Sequence, residues 1–182
     1  MAVARPRRGV PASWLGMLAI ASSGCEPRPG RLREQWERAN ETLRVRVEVF
    51  DEGNRAHMFA PGCHLAFSSA PTGSSRWRQF GHAYFSQCDQ DVKDRVRLVN
   101  ARVAYVSLQW WYAVTVDGGA RWSTWDVAAH LPGKVFYNPR LIETVSIEPD
   151  GSGRMALNPD GTVGKMPLTL VTSNFGIDWV VQ

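Results

Sequence analysis

Two eight-residue frames constrain this chain more than anything else in it. The first is Thr115-Val-Asp117-Gly-Gly119-Ala-Arg-Trp122, the second Thr172-Ser-Asn174-Phe-Gly176-Ile-Asp-Trp179. They agree at Thr, at Asp or Asn, at Gly and at Trp, position for position. The residues before the first frame, from Trp110 on, are aromatic and β-branched and read as a strand. Asp117-Gly-Gly supplies a tight turn, because glycine adopts positive φ at little steric cost. Trp122 and Trp125 then lie on a returning strand. A short carboxylate or amide at such a tip accepts hydrogen bonds from the turn's own N–H groups, and a threonine hydroxyl can join that network.

The frame resembles the Asp-box of sialidase-type β-propeller blades. In families that carry it the box is structural, which marks Thr115, Asp117, Gly119, Trp122, Thr172, Asn174, Gly176 and Trp179 as scaffold residues. Ser69, Pro71, Gly73 and Trp77 make a degraded third copy, with one extra residue before the Trp. The three copies start 46 and 57 residues apart, near the ~40–50 residues of a blade. Three blades are too few to close a ring, which takes about four to eight. The expected fold is therefore all-β, an antiparallel meander forming a β-sandwich or an incomplete propeller-like stack, with one short N-terminal helix.

That helix is expected over Arg31 to Asn40, where Leu32, Trp36 and Ala39 share a face at i, i+4 and i+7. From Leu43 to Val49 apolar and charged residues alternate, the pattern of a half-buried strand. Further strands are expected at 57–60, 64–69, 76–80, 94–99, 102–108, 134–138, 142–148, 154–157, 168–172 and 177–181, with turns at Asp51-Glu-Gly-Asn, Pro149-Asp-Gly and Pro159-Asp-Gly.

The N-terminus reads as a targeting segment over residues 1–24. Arg5, Arg7 and Arg8 precede a short apolar run, Trp14 to Ala21, and then Ser22-Ser-Gly-Cys25. The run is shorter than the ~20 residues that cross a bilayer. Small residues ahead of Cys25 resemble a bacterial lipobox, in which the cysteine becomes the lipidated first residue; Ser22 stands where that pattern prefers Leu. An ordinary secretory signal or a buried N-terminal helix are the alternatives. Glu26 rather than Asp after the cysteine resembles outer-membrane sorting. Residues 25–30, with Pro27 and Pro29, form a tether that cannot be helical, and 31–182 form a single β-rich domain.

The chain carries 21 basic and 17 acidic residues, but the first 24 hold three Arg and no acid, so the remainder is close to neutral at +1. No concentrated basic patch marks a nucleic-acid interface. With Cys25 lipidated, Cys63 and Cys88 remain as a pair that an oxidising periplasm would bridge, a closure worth about 3–4 kcal/mol in the chain-entropy model. A metal site from Cys63, His64, His82 and Cys88 is the rival, but adjacent Cys and His on a strand point to opposite faces and the spacing fits no zinc pattern. His57, His64, His82 and His130 have no catalytic partner that the sequence identifies. No nucleophile elbow, zinc-protease helix, phosphate loop or dinucleotide fingerprint occurs, so no cofactor and no catalytic residue is assigned. Trp110 and Trp111 face opposite ways if both lie on a strand, and an exposed one would be a candidate partner-binding residue.

The order of features extends the resemblance. A lipoprotein-like signal is followed by Asp51-Glu-Gly-Asn-Arg55, Gly62-Cys-His-Leu-Ala-Phe67, a second cysteine, the Asp-box, Val145 to Met155 and the terminal frame. This order is similar to that of small periplasmic immunity lipoproteins that neutralise type VI secreted lipase effectors. The resemblance implies a protein partner, a lipid anchor at the outer membrane, and stoichiometric inhibition without catalysis. The alternative is a carbohydrate-binding or vestigial sialidase-like module.

Overall fold

The structure, a computed structural model, describes residues 30–51, 62–85, 92–131, 141–159 and 168–182. The strands expected at 57–60 and 134–138, the turns at 51–54 and 159–161 in large part, and the segment up to residue 29, including Cys25, lie outside these.

The described chain forms three four-stranded antiparallel meanders in sequence order. The first holds β1 (Arg31–Ala39), β2 (Leu43–Asp51), β3 (Cys63–Pro71) and β4 (Arg78–Phe85). The second holds β5 (Val96–Leu98), β6 (Ala104–Leu108), β7 (Trp111–Thr115) and β8 (Ser123–Asp126). The third holds β9 (Ile142–Ile147), β10 (Gly153–Leu157), β11 (Leu168–Thr172) and β12 (Val180–Val181). A single helical turn, α1 (Val127–His130), follows β8, with the Asp126 carboxylate accepting from the Ala129 N–H at 3.2 Å.

The sheets stack face to face with the second in the middle, an open stack of meanders. One face of β6 carries Ala104, Val106 and Leu108 into a core shared with Val45, Val47, Leu65 and Phe67 of the first sheet. The opposite face, with Tyr105, Tyr112 and Val114, packs on Ile142, Met155, Leu157 and Leu170 of the third. Both faces of β6 and β7 are covered, so neither strand shows a clear polar alternation.

Arg31–Ala39 is strand β1, and the expected N-terminal helix is not formed there. Trp36 pairs with Val47 and Arg38 with Val45 along the open edge of β2. The reason is tertiary: a helix would leave the N–H and C=O groups of that edge without ladder partners. The strand places Trp36 on the first core. Arg38 on the same face donates to the Val96 carbonyl at 2.9 Å, fastening β1 to the second sheet. A bulge between Leu32 and Glu34 and a run of charged residues mark it as an edge.

Two other elements depart from expectation. The start of the 94–99 strand is a 3-10 turn over Lys93–Arg95, and only Val180–Val181 of the last strand pairs. Cys63 is buried and engaged in a disulfide. Cys88 lies outside the described residues, so its pairing with Cys63 stays a proposal. No helix among the described residues is long and apolar enough to cross a membrane.

Candidate functional site

The two frames form one turn, bond for bond. In the first, the Thr115 hydroxyl donates to Asp117 Oδ1 (2.9 Å), the Gly119 N–H donates to Thr115 Oγ1 (2.9 Å) and the Arg121 N–H donates to Asp117 Oδ1 (2.9 Å). In the second, the Thr172 hydroxyl donates to Asn174 Oδ1 (2.9 Å), the Gly176 N–H to Thr172 Oγ1 (3.1 Å) and the Asp178 N–H to Asn174 Oδ1 (3.0 Å). The central pair is left-handed in both: Gly118 and Gly119 at φ +72° and +86°, Phe175 and Gly176 at +61° and +81°. The Asp117 carboxyl is partly desolvated, which raises its pKa; the Arg121 N–H, the Thr115 hydroxyl and the Ala120 N–H outweigh this, and the net value lies below the usual one.

Each frame joins the third and fourth strands of its sheet, and so does the degraded copy. A further bond repeats in all three. The N–H of the residue after the Pro, Asp or Asn position donates to a carbonyl in the first hairpin turn of the same sheet: Thr72 to Thr42 (3.0 Å), Gly118 to Arg102 (2.8 Å) and Phe175 to Gly151 (2.8 Å). Asn40 and Asn100 cap those first turns alike, each Oδ1 accepting from the N–H groups two and three residues on. Sequence reasoning missed this second repeated signal, an Asn at the head of β2 and again of β6. All of these residues serve the scaffold.

Trp110 and Trp111 are also drawn inward. Leu108 pairs with Trp111, so Gln109-Trp110 is a two-residue hairpin loop with Gln109 at φ +52°, and Trp110 is not on the strand. Its carbonyl accepts from the Val127 N–H at 2.8 Å, and its ring packs against both cores. The Trp111 ring stacks on Phe67 (centroids 4.7 Å, 23°) and covers Gly81. Each is half-buried.

A groove of about 730 Å³ lies on the outward face of the first sheet. Cross-strand rows build it: Phe50, His64 and Tyr84 in one, Glu48, Ala66 and His82 in the next. His64 stacks on Tyr84 (4.5 Å, 7°) and meets Phe50 (5.9 Å) and His82 (5.8 Å, edge-on). Trp111 and Thr124 of the second sheet also line it, so it runs past the β4 edge. Ala66, Ser68 and Ala70 keep the centre of this face low, while longer side chains stand on either side.

Beside the groove lies a charged ladder. Glu37 Oε1 accepts from Arg46 Nε (3.0 Å) and Nη2 (2.7 Å), and Glu37 Oε2 from Arg44 Nη2 (2.6 Å). The Arg46 guanidinium lies 3.9 Å and that of Arg44 4.7 Å from the Trp77 ring centroid. Partial burial raises the Glu37 pKa, but the two arginines outweigh it and hold it below the usual value. Among the described residues, no three His, Cys, Asp or Glu side chains converge as metal ligands. His64 and His82 face the groove from adjacent strands, while Cys63 next to His64 points into the core.

Compared with known proteins, the chain matches no family model, no curated sequence and no solved structure.

Proposed function

We propose that this chain is a non-catalytic periplasmic lipoprotein that binds a lipase effector of type VI secretion and neutralises it. The observation that carries this reading is the groove on the first sheet. Aromatic rings, Phe50 and Tyr84 foremost, line it together with the polar side chains of Glu48, Gln79 and Thr124, and the Glu37–Arg44–Arg46 ladder lies alongside. Aromatic anchors within a polar rim are the usual composition of protein interfaces. The Asn40 cap and the bond from the Thr72 N–H to the Thr42 carbonyl tie the hairpin turns of that sheet together, which supports the reading because less order is lost on docking. The Arg-rich leader, the apolar run and Cys25 support export and anchoring at the outer membrane. Blocking a lipase in this way requires one-to-one occlusion of its active site or of its access to lipid.

A carbohydrate-binding module is the second reading, favoured by the concavity of the same groove, since sugars stack on ring faces in such clefts. The discriminating experiment is affinity capture of a type VI lipase effector from the same cell by the tagged chain, with lipase activity measured on the captured pair and a parallel glycan screen. A stoichiometric, inactive lipase complex supports the immunity reading. Free lipase activity at excess protein together with saturable glycan binding would replace it with the carbohydrate reading.

A further inference from the structure

We infer that the groove receives a basic side chain, an arginine or lysine presented by the protein partner, with Glu48 as its counter-charge. This rests on the binding reading above and names the chemistry of the partner at that site. Glu48 lies on the outward face of β2, half-buried, in the wall of the groove. Among the described residues its carboxylate takes part in no ion pair and no side-chain hydrogen bond. The arginines on the same face of β2 are already engaged. Glu37 holds Arg46 through two bonds and Arg44 through a third, and both guanidinium groups lie against Trp77. Two arginines share the one carboxylate of Glu37, so the ladder keeps one positive charge, but both guanidinium groups are held there and the Glu48 carboxylate makes no direct ion pair.

A carboxylate in a groove wall with no partner of its own can accept charge-assisted hydrogen bonds from an arriving cation. The rings around Glu48 suit a cation as well. Phe50 flanks it two residues along β2, and Tyr84, more than a third exposed at 37 %, stands in the adjoining row. Guanidinium and ammonium groups are attracted to ring faces within about 6 Å, and arginine also stacks on them. An acid set among aromatic faces therefore selects a basic side chain over a neutral one, while Gln79 and Thr124 can bond the backbone that carries it.

The test titrates the full chain with the peptide acetyl-Gly-Arg-Gly-amide and with the same peptide carrying citrulline, the neutral isostere, following the Trp111 indole and His82 ring resonances. The arginine peptide is expected to bind at least tenfold more tightly than the citrulline peptide, and Glu48→Gln to reduce it to the citrulline level with the unfolding midpoint unchanged. Tyr84→Leu, at an exposed position outside the core, is expected to weaken binding of the arginine peptide. Equal binding of the two peptides, binding indifferent to Glu48→Gln, or a response to a neutral oligosaccharide alone would each overturn the inference. Arginine-selective binding by a chain that captures no lipase would uphold it while removing the lipase reading. A lipase complex unaffected by Glu48→Gln would do the reverse.

Discussion

The indole N–H of Trp122 donates to the hydroxyl of Ser69 at 3.0 Å. Trp122 closes the frame of the second sheet and Ser69 opens the degraded frame of the first, so the bond joins equivalent hairpins of neighbouring repeats. Phe80 completes the joint by stacking on Trp122 with ring centroids 3.8 Å apart. At the same end, Asn40 Nδ2 donates to the Asn100 carbonyl at 2.8 Å and the Thr42 hydroxyl to that of Ala101. Ser69→Ala is expected to cost about 1–2 kcal/mol, because the Trp122 N–H is left without its partner in a partly buried site. Trp122→Phe in the same background should cost little beyond that. Urea unfolding of the single and double variants measures the coupling, and additive effects would contradict the joint.

At the turn's acceptor position the two complete frames differ in one group, carboxylate in Asp117 and amide in Asn174, and this predicts a pH effect. Because the Asp117 pKa is depressed in the folded state, its contribution is fully present above the ordinary aspartate value of 3.8 and is lost as pH falls through the folded value. Asp117→Asn keeps the acceptor oxygen, as Asn174 shows. The stability difference between parent and variant should therefore be constant from pH 7 to about pH 5 and shrink below. Glu37 and Asp150, also depressed, keep an acid loss in both proteins. A difference unchanged down to pH 2 would contradict the account of the turn.

Tyr112 is fully buried, and its hydroxyl has no hydrogen-bond partner. Burial, with Tyr105 nearby, pushes its pKa far above the ordinary range, so it remains neutral. The ring packs edge-on against Trp179 (5.7 Å), and the hydroxyl abuts Gly176, leaving no room for a Cβ there. Tyr112→Phe keeps the ring and removes an unpaired polar group, so it should stabilise the protein by about 1 kcal/mol. Gly176→Ala, at positive φ and against that hydroxyl, should destabilise by more than about 2 kcal/mol. Thermal unfolding distinguishes the two signs.

Gly81 exists for Trp111. A Cβ at position 81 would come 2.5 Å from Trp111 Cζ2. Gly81→Ala is expected to cost about 1–3 kcal/mol by overpacking and to shift the Trp111 indole resonance. Trp111→Phe in the same background should recover part of the loss. A Gly81→Ala protein as stable as the parent would show that the ring is not held on this strand.

Much of the architecture was legible because it is periodic. The Thr-x-Asp/Asn-x-Gly-x-x-Trp frames are local, and their bonds run within eight residues, so residue types and spacing suffice to recognise the turn. The alternation from Leu43 to Val49 likewise reports one buried face. Arg31–Ala39 was misread because its residues favour a helix locally, while the unpaired edge of β2 that captures it lies in another part of the sequence. Trp110 and Trp111 attract attention as aromatic residues, yet whether an indole meets solvent or Phe67 depends on a sheet built more than 40 residues earlier. The groove was not legible at all. Glu48, Phe50, His64, His82 and Tyr84 lie on three strands and become neighbours only through register. That the Glu48 carboxylate makes no ion pair depends on Glu37, from another strand, holding both Arg44 and Arg46.

The most direct measurement of the central claim is titration of a type VI lipase effector with this chain, following phospholipid hydrolysis and complex formation together. The account predicts inhibition that is complete at one equivalent, and at least tenfold weaker binding for Phe50→Ala and for Tyr84→Ala with folding intact. Undiminished hydrolysis at a large excess of protein, with no complex in solution, would contradict it.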